Sequence, residues 1–241
     1  PLRPRYTKKL LKKLDINKAT GPDHISAEIL RTIADEIAVP FTILCRRLLI
    51  EGCWPNIWRL HQLCPLYKRQ TAFHAGNYRG IHLTTILSKT AERVIGQRLI
   101  PFLQRKCFGE YQWAFTPRLS ARDLVTALMM SWILAFCTGK KVAAYVSDIT
   151  GAFDRVSRDF ILAKLYSAGI GTQYLNFLAS YLQPRKSIVV VEGVVSDEFE
   201  IANQVFQGTV LDPLLWNIFF LADVIQSASG LGGNLQCLRT I

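Results

Sequence analysis

The residues of this chain best suited to chemistry lie in the stretch YVSDITGAFDRVSR, residues 145–158. An apolar run, VAAYVSD at 142–148, ends on the carboxylate of Asp148, and Phe153-Asp154 lead toward a helical segment. A strand fixes the direction of a side chain at its exit and delivers it to the sheet edge. Hard divalent cations take oxygen ligands there, typically one or two carboxylates completed by substrate phosphates. Asp148 therefore suits a metal ligand, and it equally suits the first residue of a turn. Two-metal phosphoryl transfer needs carboxylates converging from different elements, so one Asp alone leaves both readings open.

Charge narrows the partners. The 241 residues hold 29 Lys+Arg against 18 Asp+Glu, a formal net charge of +11. Such an excess favours a polyanion, because neutralising phosphates releases condensed counterions; a plainly basic protein and a binder of acidic lipid share the same composition. The six cysteines include no CxxC pair and no zinc-like Cys/His cluster. They read as free thiols of a reducing compartment. The N-terminal PLRPRYTKKLLKKL has no apolar signal core and suits a basic-faced helix or a nucleic-acid-binding arm. These features predict an intracellular protein, nuclear or cytoplasmic. The most apolar window, LVTALMMSWILAFC at 124–137, is short for a span of about 20 residues and predicts a buried helix; no membrane role is expected.

The elements that must position Asp148 can be read from periodicity and punctuation. Loop residues NKATGPD (17–23) precede a helix that Ser26 caps, with Glu28 in its first turn. Leu30, Ile33 and Ile37 form its predicted apolar face. Pro40 is expected to stop or kink it, and Phe41, Leu44, Leu48 and Leu49 continue a second helix to Gly52. A short apolar piece ends at Lys68-Arg69, and IHLTT leads to an amphipathic helix near 88–103. Residues 142–148 read as a buried strand. Helices follow from Arg158, capped by Ser157, to Gly169, and from Gln173 to Leu182. SIVVVEGVVSDEFEI predicts a hairpin turning at Glu192-Gly193, and LLWNIFFLADVIQ a buried helix. Helices with a few strands, not cleanly alternating, make the fold class α+β.

Six ordered pieces carry a resemblance: NKATGPD (17–23), PLYKR (65–69), NYRGIHLT (77–84), QWAFTPRLSARD (112–123), YVSDITGAFDRV (145–156) and FQGTVLDPLLWN (206–217). In order and spacing they resemble the reverse transcriptase domain of non-LTR (LINE-type) retrotransposons, over residues 15–224. The resemblance implies the fingers and partial palm of a right-hand polymerase, with RNA template, DNA primer and dNTP as partners and Mg²⁺ as cofactor. It implies a basic arm at 1–16, a fingers-like region with the start of the palm at 17–103, a partial palm at 104–224 and an irregular tail at 225–241. Asp148 matches the catalytic, metal-binding aspartate, aided by the Ile149 carbonyl. Phe153 matches the bulky residue that closes the sugar pocket against a 2′-hydroxyl. Lys68 and Arg79 match residues that meet the triphosphate, and Gln207 and Gly208 the turn approached by template–primer and nucleotide. Arg118, Ser120, Asp123 and Asp154 match positions that contact template or serve structure.

Three departures from the family pattern bear on activity. Gly80-Ile81-His82 replaces proline-isoleucine-serine, which is expected to loosen a stiff loop. Asp212 stands where glycine is common, placing a negative charge near nucleotide phosphates. The aromatic-x-Asp-Asp motif that supplies the opposed metal ligand has no counterpart, because no Asp-Asp pair occurs in the chain. The expectation is a reverse transcriptase domain fragment that does not polymerise by itself; the alternative is a non-catalytic RNA- or DNA-binding protein derived from a retroelement.

Overall fold

The computed structural model describes residues 2–69, 71–107, 112, 113, 115–144, 146, 156–202 and 205–229. Helix α1 (Pro4–Lys12) opens the chain with proline in its first turn, where a missing N–H costs nothing. It is docked rather than free. Leu2, Leu11 and Leu14 are buried, and Thr7 Oγ1 lies 2.7 Å from Thr42 Oγ1, which itself donates to the Ala38 carbonyl.

Ser26 caps α2 (Ala27–Thr32), its hydroxyl accepting the Ile29 amide at 3.2 Å. The break that follows falls at Ile33, not at Pro40. Helix α3 (Ala34–Glu51) runs through the proline to Gly52, whose left-handed φ of 63° ends it. Pro40 sits on the exposed side, where the freed Glu36 carbonyl can meet water. The buried stripe of α3 is Ala34, Ala38, Phe41, Cys45 and Leu48, while Ile33 and Leu44 are exposed. Of the apolar side chains predicted to face inward, Leu30, Phe41 and Leu48 are buried and Ile37 and Leu49 half-buried, while Ile33 and Leu44 are rotated out.

A mixed sheet in the order β2-β1-β3-β4 holds the site together. Strand β1 (Leu60–Tyr67) pairs antiparallel with β2 (Tyr78–Leu83) and parallel with β3 (Arg185–Val191). Gly80 lies inside β2, opposite Pro65, so it is a strand residue and not a loosened loop. Strands β4 (Val194–Val195) and β5 (Phe199–Ile201) both pair with β3. Glu192 and Gly193 join β3 to β4 with φ of 49° and 83°, the two positive values a tight hairpin turn needs.

Helices build the main core. Helix α4 (Ile86–Cys107) is started by Thr85, whose hydroxyl accepts the Ser88 amide at 3.0 Å. Helices α6 (Arg158–Ser167), α7 (Thr172–Tyr181) and α8 (Asp212–Ser229) pack with α3 and α4 around a core that includes Trp54, Val94, Leu103, Ile161, Phe177 and Leu215. Ser157 precedes α6 in extended conformation but makes no side-chain cap bond.

Two expectations fail here. Helix α5 (Ala121–Cys137) is not buried: Leu124 alone is, while Met129, Ile133, Leu134 and Phe136 are each more than half exposed. Periodicity registers apolar content but not which neighbours cover it, and no described element packs closely along α5. Of the strand expected at 142–148, residues 142–144 and 146 form none and Val146 is 90% exposed, while residues 145, 147 and 148 lie outside the described residues. β-Branched residues make a strand only where a partner strand accepts their backbone, and no described residue pairs with them. Among the described residues no helix is long and apolar enough to cross a membrane, and the four cysteines with described side chains, Cys45, Cys53, Cys64 and Cys137, are free.

Candidate nucleotide and nucleic-acid site

Strand β2 gathers the first part of the site. Arg79 is paired with Leu66, and the Lys68 amide continues the ladder by donating to the Asn77 carbonyl at 2.9 Å. Lys68 is thus the diagonal cross-strand neighbour of Arg79, and the two side chains share one face of the hairpin at a separation of about 7–8 Å. Lys68 is exposed and Arg79 half-buried. Farther along β2 the His82 amide donates to the Gln207 carbonyl at 2.9 Å. The turn at 206–211 is thereby attached to the free side of β2. Gly208 is exposed with φ of 115°, and a Cβ there would lie 2.8 Å from the His82 carbonyl oxygen. Glycine is what allows that approach.

The other side of the turn rests on buried polar groups that the sequence reading passed over. Glu92, on α4, is 1% exposed; its Oε2 accepts the Val210 amide at 2.7 Å and the Leu211 amide at 3.0 Å. Asp212, also 1% exposed, accepts the Phe206 amide at 3.0 Å and the Thr209 amide at 3.3 Å. The Tyr181 hydroxyl has Thr209 Oγ1 at 2.8 Å and Glu92 Oε2 at 3.2 Å within reach. Burial pushes the Asp212 carboxyl up to about 8, with Glu92 adding to it against the bonds from Thr209 and Phe206. Burial likewise raises Glu92, opposed by the Leu211 and Val210 amides and by Arg185. Asp212 is therefore no free charge facing nucleotide phosphates. It is turned inward as a fastening of the turn.

Beneath lie Arg185, His61 and His82. The Arg185 guanidinium stands 4.9 Å from the Tyr181 and Phe206 ring centres and 5.7 Å from that of Trp54, and it donates to the Tyr181 carbonyl. Burial lowers it to about 10. His61 and His82 meet Nδ1 to Nδ1 at 3.2 Å. Burial and the nearby Arg185 charge hold His82 down at about 4 and His61 well below its usual value, so both rings are neutral at pH 7, one donating and one accepting.

A cleft of about 400 Å³ opens beside the same turn, lined by Lys13, Lys18, Lys89, Arg93 and residues 208–210. Asp15 is the acidic residue on its wall, and none of the four cations forms an ion pair among the described residues. Burial holds the Lys89 ammonium below its ordinary value; Arg93 and Lys18 push the same way and Glu92 and Asp212 oppose them. Unneutralised, clustered cations in a concave wall are what a phosphate-bearing ligand requires. A scan for such cations at helical spacing, Lys89 and Arg93 on α4, would have found half of this cleft.

The chain matches the family model of the reverse transcriptase (RNA-dependent DNA polymerase) over residues 67–232. The chain belongs to the reverse transcriptase family. It is 27% identical over 221 residues to a Drosophila melanogaster protein described as "Probable RNA-directed DNA polymerase from transposon BS", covering 91% of this chain and 24% of that relative. It is 27% identical over 214 residues to the RNA-directed DNA polymerase from mobile element jockey of the same species, covering 88% and 23%. Its identity to the Pol polyprotein from type-1 retrotransposable element R1 of Bradysia coprophila is 26% over 212 residues, covering 86% and 20%. The relatives it matches are proteins of transposons, mobile elements and retrotransposable elements. The chain spans about a quarter of the length of the first curated relatives it matches.

The structure brings Lys68 and Arg79 to the β1–β2 hairpin, and Gln207 and Gly208 to the turn attached to β2. It places Arg118 at an exposed turn with φ of 69°. Ser120 and Asp123 form a reciprocal capping box at the start of α5: Asp123 Oδ2 accepts from the Ser120 amide at 2.9 Å and from its hydroxyl at 2.6 Å. Asp148, Ile149, Phe153 and Asp154 lie outside the described residues. Among the described residues no group of three or more His, Cys, Asp or Glu side chains is gathered to hold a metal.

Proposed function

We propose that this chain is the nucleotide- and template-gripping part of an RNA-directed DNA polymerase acting on an RNA template, a DNA primer and dNTP. The observation that carries the proposal is the 206–211 turn, attached to β2 through His82 and flanked by a cleft whose four cations form no ion pair among the described residues. Lys68 and Arg79 meet the triphosphate: the guanidinium supplies a planar fork for phosphate oxygens and the ammonium a compact charge. Gln207 and Gly208 present backbone and a short polar arm to the base pair being formed. Lys13, Lys18, Lys89 and Arg93 neutralise nucleic-acid phosphates. By the resemblance, Phe153 would screen the sugar and Asp148 with the Ile149 carbonyl would hold Mg²⁺, in keeping with the divalent-metal dependence of the family. Arg118 and Asp154 stay assigned to template contact or local structure.

The test is fluorescence anisotropy of a labelled RNA–DNA template–primer across a salt series. Wild-type affinity should fall steeply with salt. The K89E/R93E double variant should bind more weakly, and its log–log salt slope should be shallower by about 1.5, from the loss of two phosphate contacts at about 0.7–0.9 each. An unchanged slope refutes the assignment of the cleft.

A further inference from the structure

The 206–211 turn is held by two buried acidic side chains, Glu92 and Asp212. Phe206, Thr209, Val210 and Leu211 give their amides to Asp212 or Glu92, while Gln207 gives its carbonyl to His82. Only Gln207 and Gly208 between them remain free to face a ligand, because the amide on either side is fastened inward. Glu92 comes from a helix 118 residues away in sequence from Val210. It is a carboxylate on the buried face of α4, next to the fully buried Ala91 and near Val94 and Ile95. Burying an acceptor of that strength is costly unless each lone pair is used, and here a single oxygen receives two amides and stands within reach of the Tyr181 hydroxyl.

We propose that Glu92, with Asp212, is a positioning residue for the nucleotide site: the two buried acidic side chains set where Gln207 and Gly208 stand on β2. The proposal rests on the reading of this turn as part of a polymerase site. Loss of the Glu92 acceptor releases the Val210 and Leu211 amides and lets the turn lift from β2, so nucleotide binding suffers more than nucleic-acid binding, which depends on the cationic side chains of Lys13, Lys18, Lys89 and Arg93 across the cleft that the turn only borders. Glutamine keeps an acceptor where Oε2 stands and so keeps the clamp.

Two measurements on the whole chain test this. Hydrogen–deuterium exchange of peptides covering 205–214 reads the clamp directly. E92A should speed exchange at Val210 and Leu211 by about tenfold or more, the scale of one lost charge-assisted hydrogen bond, while E92Q stays near wild type. D212G, which carries the residue common in the family, should release Phe206 and Thr209 instead. The second measurement is the dNTP-dependent stabilisation of the complex with template–primer. E92A should weaken apparent dNTP affinity by about tenfold and leave template–primer affinity within about twofold, with E92Q restoring it. Exchange in E92A within about twofold of wild type overturns the proposal, as does equal weakening of dNTP and template–primer binding. If the wild-type chain binds no template–primer, the polymerase reading fails and with it the functional half of the proposal; the exchange data still decide whether Glu92 clamps the turn.

Discussion

Gly208→Ala probes the contact between the turn and β2. The φ of 115° is a conformation that costs a side-chain-bearing residue about 1–3 kcal/mol. The added Cβ would stand 2.8 Å from the His82 carbonyl oxygen, a backbone atom fixed in a paired strand, so the turn must move away. That movement loses the bond from the His82 amide to the Gln207 carbonyl, worth about 0.5–1.5 kcal/mol. The sum is a destabilisation of about 1.5–4.5 kcal/mol. Urea unfolding followed by tryptophan fluorescence measures it, because Trp54 packs against Tyr181 beneath the turn. Gly21→Ala is the comparison with a clash but no positive φ: its Cβ would meet Thr85 backbone atoms at 2.5 and 2.6 Å. A loss below about 0.5 kcal/mol for Gly208→Ala, the range of an indifferent surface substitution, would show that the turn is not seated on β2 as described.

Other consequences concern titration and thiol chemistry. Asp212 has a folded value of about 8 against about 3.9 in an unfolded chain. Its contribution to stability is complete below about pH 4 and lost as pH rises through about 8. His61 and His82, lowered on folding, act oppositely, losing their contribution as pH falls below about 6.5. Denaturation curves from pH 5 to 8 should therefore show the difference between wild type and D212G shifting against wild type as pH rises; a pH-independent difference refutes the buried, protonated state of Asp212. Cys45 is fully buried, and burial pushes its thiol up to about 12. Iodoacetamide mapping by mass spectrometry should find Cys53 and Cys137, both exposed, modified long before Cys45 in the native chain, with all three alike in urea. Equal native rates would mean that the α3 core is open.

Local chemistry was legible in the sequence wherever a residue acts on its own neighbours. Ser26 caps α2, Gly52 ends α3, Glu192-Gly193 turn the hairpin, and each does so through bonds spanning a few residues. The six ordered motifs were equally legible and led to the family. Three misplaced features share one cause. The break at Ile33, the outward turn of Ile33 and Leu44 and the exposure of α5 depend on which helix lies alongside, and periodicity does not encode that. Asp212 looked like a surplus charge because its partners, the amides of Phe206 and Thr209, are backbone groups shared by every residue type.

The sequence by itself determined the α+β class, most helix boundaries, the family and the residues of Lys68, Arg79, Gln207 and Gly208 as a candidate set. Tertiary structure alone decided that β2 and the 206–211 turn meet through His82, that Glu92 reaches that turn from α4, and that Lys13, Lys18, Lys89 and Arg93 surround one cleft. The physical reason is the range of the forces involved. Caps and turns are settled by hydrogen bonds closed within one turn of chain, whereas a buried carboxylate or a cluster of like charges acquires its role from groups that only folding brings within a few ångströms.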